Sequence, residues 1–198
     1  MAKIRGGFVT NSSSSSFIIT LPSDKEISFD TVAQELIPGQ DPSEVCFIAY
    51  DDPIDASSAI SSVVHEIRAG MKDKTQDEYE KELADTLSGF DTYCAKRLPK
   101  SLIDLADKAP DYDTVMGKDY FDRPSEERHK RWDYYEQLRT AWETEFTSAL
   151  IAHYKELGRD VYVVEYSDND GSFNTTMEHG NVFDELIDKG LAFRISHH

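Results

Sequence analysis

The sequence predicts an α/β or α+β fold, with a small central sheet of four to five strands and a large helical insertion. Three observations lead there. Short apolar runs lie near both ends of the chain, helical periodicity dominates residues 57–157, and no internal repeat of roughly 20–50 residues divides the sequence. The 198 residues suit a single domain, 1–198, with 57–157 as a helical insertion or arm within it.

Four segments read as strands. Phe17-Ile18-Ile19-Thr20-Leu21 stops at Pro22, and Val45-Cys46-Phe47-Ile48-Ala49-Tyr50 stops at Asp51-Asp52-Pro53. Val161 to Tyr166 runs into Asp168-Asn169-Asp170-Gly171, and Leu191 to Ile195 forms the last strand. Runs that are apolar without alternation predict strands covered on both faces. Ile4 to Val9 is a candidate fifth strand, and Asp51-Asp52-Pro53 reads as a turn leading into a helix or as a strand-end carboxylate.

The helices carry clearer marks. Ile60, Val63, Val64 and Ile67 fall at i, i+3, i+4 and i+7, after Asp55 or Ser57 as a cap and before Gly70. Thr75-x-x-Glu78 is a capping box opening a helix through Tyr79, Leu83, Leu87, Phe90 and Cys94. A short helix with Leu102, Ile103, Leu105 and Ala106 follows. Asp111 to Arg123 lacks a period and reads as an acidic loop. The longest signal spans about Ser125 to Leu157, with Trp132, Tyr135, Leu138, Trp142, Phe146, Leu150 and Tyr154 three or four residues apart. At 1.5 Å per residue such a helix is roughly 50 Å long, so it must bend, break or project as an arm.

Composition bounds the function. Thirty-eight acidic against 21 basic residues give a net charge of −17. A chain this acidic is repelled by phosphate backbones and anionic lipid, which argues against direct nucleic-acid binding and membrane association. Ten Phe, ten Tyr and two Trp supply the apolar area for a core. Cys46 and Cys94 show no metal or CxxC spacing and are expected as buried free thiols. Without an apolar leader after Lys3 and Arg5, and without a run of about 18 apolar residues, the expected location is the cytoplasm. His65, His129 and His153 lie on helical patterns and are expected to be structural.

The segment Gly6-Gly7-Phe8-Val9-Thr10-Asn11-Ser12-Ser13-Ser14-Ser15-Ser16-Phe17 is the least ordinary stretch. Read as a loop between apolar segments, Asn11 and Ser12, Ser13, Ser14, Ser15 and Ser16 offer main-chain donors and hydroxyls to a phosphate or another anion. A flexible polar connector explains the same run equally well. The string GFVTNSSSSSFII resembles the opening of a loosely defined group of small phage and prokaryotic proteins. That resemblance covers about a tenth of the chain and brings no activity with it; it implies a phage or prokaryotic cytoplasmic protein, in the host cytoplasm if phage-encoded.

The C-terminal segment gathers carboxylates and imidazoles near strand ends, where α/β sheets place sites. Asp168, Asp170 and His197, with Glu178 and His179, form a candidate set around one divalent metal such as Mg²⁺, Mn²⁺, Fe²⁺ or Zn²⁺. Glu178 or His179 is the candidate catalytic general base for a metal-bound water. An EF-hand is excluded, because Tyr166 and Met177 fall where that loop needs Asp and Glu. Thr175-x-x-Glu178 also fits a capping box, which makes Glu178 structural; otherwise a helix starts at Asn181 and Glu178-His179-Gly180 is a loop.

Two functions remain open at this point. One is a ligand or metal site, hydrolytic in character, acting on a small phosphorylated molecule. The other is a non-enzymatic phage-type protein that modulates a host protein. The long helix mixes Arg128, Lys130, Arg131, Arg139 and Lys155 with its acids, which disfavours simple imitation of DNA.

Overall fold

The computed structural model describes residues 14–50, 52–86, 98, 100–167 and 172–197. The chain starts with β1 (Ser14–Pro22), α1 (Phe29–Leu36), β2 (Cys46–Ala49) and β3 (Asp52–Asp55). Helices α2 (Ala56–Gly70), α3 (Gln76–Thr86), α4 (Lys100–Ala106), α5 (Tyr112–Met116) and α6 (Ser125–Glu156) follow. The chain then forms β4 (Arg159–Ser167), α7 (Ser172–His179), α8 (Asp184–Asp188) and β5 (Ala192–His197).

The strands divide between two sheets. One has three strands in the order β4-β1-β5, the other is the ribbon β2-β3, and every pairing is antiparallel. The architecture is therefore α+β. Among the described residues the expected central sheet of four to five strands holds three. β2 instead pairs with the segment directly after it, and its Ile48 amide donates to the Asn181 side chain at 3.0 Å. The run read as a turn at Asp52-Pro53 is strand β3, with Pro53 opposite Ile48. Proline is tolerated there because a two-stranded ribbon leaves an edge free of ladder bonds. The candidate strand Ile4 to Val9 lies outside the described residues, as do Asp51 and Cys94.

β1 behaves as its unbroken apolar run predicts. Phe17, Ile18, Ile19, Thr20 and Leu21 are all buried, so both faces of the central strand are covered. β2 behaves otherwise. Phe47 and Ala49 face inward, whereas Cys46 and Ile48 are exposed. Cys46 is a free thiol at the surface, not a buried one, because a ribbon covered on one face exposes alternate residues. The β2–β3 connection puts Tyr50 at φ +54°, a backbone region L-residues rarely adopt and tight hairpins require.

Caps fix the helix starts. Asp55 accepts the Ser58 amide at 2.8 Å, and Ser28 accepts the Thr31 amide at 3.2 Å to open α1. The Thr75/Glu78 box forms in both directions, with the Thr75 amide donating to Glu78 at 2.8 Å and the Glu78 amide to Thr75 at 3.3 Å. The expected continuation of α3 through Leu87, Phe90 and Cys94 lies outside the described residues. The stretch read as a loop at 111–123 contains α5 and a 3-10 turn, Tyr120–Asp122. Asp111 caps α5 by accepting the Thr114 amide at 2.7 Å. Elements of five and three residues are too short to establish a period.

α6 is an unbroken helix of 32 residues, about 48 Å long. Its buried residues all come from Trp142 onward, and from Ser125 to Ala141 none is buried. Trp142 donates its indole N–H to the Leu105 carbonyl at 2.9 Å, and Tyr154 donates to the Gly190 carbonyl at 2.7 Å. Gly158, at φ +69°, releases the chain into β4. Arg159 then ties β4 to Glu35 at 2.5 Å and to the Thr20 carbonyl at 2.7 Å. His65 and His129 are exposed and His153 half-buried on their helices. Among the described residues no helix is long and apolar enough to cross a membrane.

Candidate functional site

Ser14 to Ser16 are not loop residues. They form the first turn-free residues of the central strand, with Ser15 opposite Tyr166 on one side and His197 on the other. Their backbone amides belong to that ladder, so a main-chain anion nest does not form at these three positions. Alternation sends neighbouring hydroxyls to opposite faces. Ser16 donates outward to Glu165 at 3.3 Å, and Ser15 donates inward to Glu178 Oε1 at 3.1 Å. Asn11, Ser12 and Ser13 lie outside the described residues, and Ser14 is placed by its backbone alone.

Glu178 and His179 are neither at a helix start nor in a free loop. They are the last two residues of α7, which begins at Ser172, well before either expected start. The helix directs Glu178 inward, where it is fully buried together with Ser15. His179 Nε2 lies 3.6 Å from the same Oε1 that accepts the serine, and its side chain is 19 % exposed. The imidazole also meets the ring of Tyr50, with centroids 5.9 Å apart. Arg194 of β5 donates to the Glu178 carbonyl while its guanidinium lies 5.0 Å above the Phe17 ring. Tyr166, opposite Ser15, is buried, and burial pushes its phenol above the ordinary tyrosine range.

Gly180 explains how this end of α7 docks. A Cβ there would stand 2.4 Å from the Thr176 carbonyl oxygen and 3.1 Å from that of Ile48. Only glycine permits so close an approach to β2. Asn181 completes the joint through the Ile48 amide.

The chemistry of this cluster follows from its order. In a serine-nucleophile triad the imidazole stands between serine and carboxylate. Here the Ser15 hydroxyl donates to the carboxylate itself, and the imidazole lies 3.6 Å from the same carboxylate oxygen. Glu178 is enclosed away from water. His179 is the member that reaches the surface. Among the described residues no three His, Cys, Asp or Glu side chains gather as a metal site. Asp168 and Asp170 lie outside the described residues, and His197 is placed by its backbone alone, as the partner of Ser15. A surface cavity of about 510 Å³ at the C-terminal end of α6, lined by Leu98, His153, Leu157, Ile187, Lys189 and Leu191, contains none of the candidates.

A second feature was not legible from the sequence. The unburied half of α6, with α5 and the 3-10 turn, carries a chain of edge-to-face rings. Tyr112 contacts Tyr120, Trp132 and Tyr135 at centroid distances of 5.5–6.5 Å, and Tyr120 contacts Phe121 at 5.2 Å. Phe121 is 78 % exposed and Trp132 43 %. The ring contacts between helices depend on α5, whose presence no periodicity announced.

Comparison of the chain with protein-family models, with curated proteins and with solved structures gave no match.

Proposed function

We propose that this is a non-enzymatic interaction protein, which binds a host protein through the aromatic end of its helical arm. One observation carries the reading: no residue of helix α6 from Ser125 to Ala141 is buried, yet this half and the 3-10 turn beside it hold exposed Trp132 and Phe121. Aromatic side chains on a rigid helix are typical binding anchors, each worth about 1.5–3 kcal/mol when covered. Four of the nine arginines and six of the 22 aromatic residues fall within 111–141, the composition expected of an interface. The partner that fits has an apolar cleft for the two rings and a basic surround. The charge of −17 steers such a partner from a distance and repels acidic competitors. The phage-like opening agrees with a host target.

The test is a comparison of captured proteins. The parent protein and Phe121→Ser/Trp132→Ser are immobilised side by side and exposed to a host lysate at two salt concentrations. A partner held by the parent and lost by the double variant supports the reading. Identical captures by both, or none by either, refute it.

A second reading, a ligand or divalent-metal site with hydrolytic chemistry, is favoured by the meeting of Ser15, Glu178 and His179. In this form His179 faces the ligand and Glu178 orients the imidazole from behind, as carboxylates do behind metal-binding histidines. Asp168, Asp170 and His197 remain its proposed further ligands. Calorimetric titration with Zn²⁺, Mn²⁺ and Mg²⁺ tests it. Binding weakened by His179→Ala supports it, and the absence of binding sinks it.

A further inference from the structure

The run Val45 to Tyr50 is apolar without alternation, the pattern of a strand covered on both faces. The fold covers only one of them. Phe47 and Ala49 face inward, while Cys46, Ile48 and, across from Ile48, Pro53 stay exposed, Ile48 at 53 %. The outward positions of a ribbon covered on one face ordinarily hold polar residues. Tyr50 follows at 76 % exposure, with its ring against His179. Its φ of +54° is unfavourable for so bulky a residue, and the ring fills no core in return.

The ribbon offers this face and not an edge. The Ile48 amide on the outer edge of β2 is bound to Asn181, and Pro53 of β3 has no N–H to give. Both edges are thereby blunted against an added strand.

Charge selects what covers the face. From Glu26 to Ile67 the chain holds nine acids and no lysine or arginine, so these 42 residues carry −9 of the −17. Asp41 and Glu44 are exposed just before β2, and Asp55 is exposed at the end of β3. The helices packed on the ribbon are α2 and α7, and neither neutralises it. α7 has no lysine or arginine, and Arg68 of α2 is held by the Ile27 carbonyl at 2.6 Å. Arg194, which reaches α7 from β5, is taken up by the Glu178 carbonyl and the Phe17 ring.

We infer that the outer face of the β2–β3 ribbon docks a basic segment of another protein. Apolar side chains of that segment cover Ile48 and Pro53, and its lysines or arginines meet Asp41, Glu44 and Asp55. The Tyr50 ring gives a guanidinium or ammonium group a cation–π contact. An acidic rim around an apolar centre speeds encounter with basic chains and turns acidic ones away. This surface shares no residue with the aromatic end of α6, and the inference does not rest on that reading.

Fluorescence anisotropy of the full chain with two labelled peptides of equal charge tests the inference, one alternating Lys and Leu, the other Lys and Gly. The Lys-Leu peptide should bind about tenfold more tightly, since only it covers the apolar centre. Its binding should weaken between about 0.1 M and about 1 M salt. Ile48→Ser and Tyr50→Asn should each weaken it about tenfold, whereas Leu157→Ser, an exposed apolar residue elsewhere, should leave it unchanged. Glu44→Gln should weaken both peptides. Urea unfolding of each variant verifies that the fold persists. Equal affinity for the two peptides, or parent-like binding by both ribbon variants, means that the carboxylates alone attract the probe and overturns the inference. So does the absence of binding at about 100 µM peptide in the lower salt. Phe121→Ser/Trp132→Ser should bind the peptide as the parent does, so failure at the arm and failure at the ribbon are separate outcomes.

Discussion

Removing one oxygen at Ser15 tests whether the Ser15–Glu178 contact holds the fold together. Ser15→Ala deletes a donor 3.1 Å from a fully buried carboxylate oxygen and leaves the strand backbone unchanged. Taking the donor from a buried acceptor costs about 1–3 kcal/mol, because the acceptor is then less well solvated than it is in water. We expect a loss of about 2 kcal/mol, or roughly 30-fold in the folding equilibrium. For a chain of this size that lowers the melting temperature by about 4–8 °C. Urea unfolding followed by circular dichroism reads it as a midpoint shift of about 1 M at unchanged slope. Glu178→Leu removes the acceptor at similar size, so a double-mutant cycle with Ser15→Ala should give a coupling of about 1 kcal/mol or more. His179→Ala, at 3.6 Å and part-exposed, should cost less than about 1 kcal/mol. A Ser15→Ala loss below about 0.5 kcal/mol, or strict additivity with Glu178→Leu, refutes the structural role assigned to the pair.

Alkaline pH should unfold the protein through its tyrosines. Burial raises the phenols of Tyr79, Tyr154, Tyr162 and Tyr166, Tyr154 to about 12. A raised acid contributes stability that is full below its unfolded value of about 10 and is lost as pH rises toward the folded value. Stability should fall between pH 10 and 12, by about 2–3 kcal/mol from Tyr154 alone, and Tyr154→Phe should flatten that limb. Absorbance at 295 nm checks it: all ten tyrosines ionising near pH 10 in the folded protein contradicts the burial. Gly180→Ala forces its Cβ against the Thr176 carbonyl and should cost about 1–3 kcal/mol in thermal melts. Hydrogen exchange should be faster for Ser125–Ala141 than for Trp142–Glu156, since only the second half of α6 is anchored in the core. Equal protection across the helix counts against a projecting arm.

The sequence pattern anticipated the elements better than their partners. The apolar run Phe17–Leu21, the Thr75/Glu78 box and the period from Trp132 to Tyr154 each encode local structure, and each appears where its residues place it. Which strand pairs with which is settled by long-range packing, and neighbouring residues carry little of that information. β2 therefore read as one more strand of a central sheet, when it folds back on Asp52–Asp55. The candidate site shows the same division. Ser15, Glu178 and His179 stood out by residue type, yet the inward aim of Glu178 depends on where α7 begins. The run Asp168-Asn169-Asp170-Gly171 before it reads as a turn after the strand, and so did not mark that start. Tyr50 and Arg194, which border the cluster, drew no notice because their role exists only across chain distances.

The strand order β4-β1-β5 has a consequence for how the chain is made. The central strand is synthesised first and both of its neighbours near the end. Ser15 and Glu178 are 163 residues apart, about 8–33 s of translation at 5–20 residues per second. During that interval an apolar strand with two open edges has no permanent partner. A newborn chain in that state is prone to aggregate, and it is the natural client of a holding chaperone. Slowing translation of the helical block should lower the soluble yield, whereas supplying more chaperone should restore it.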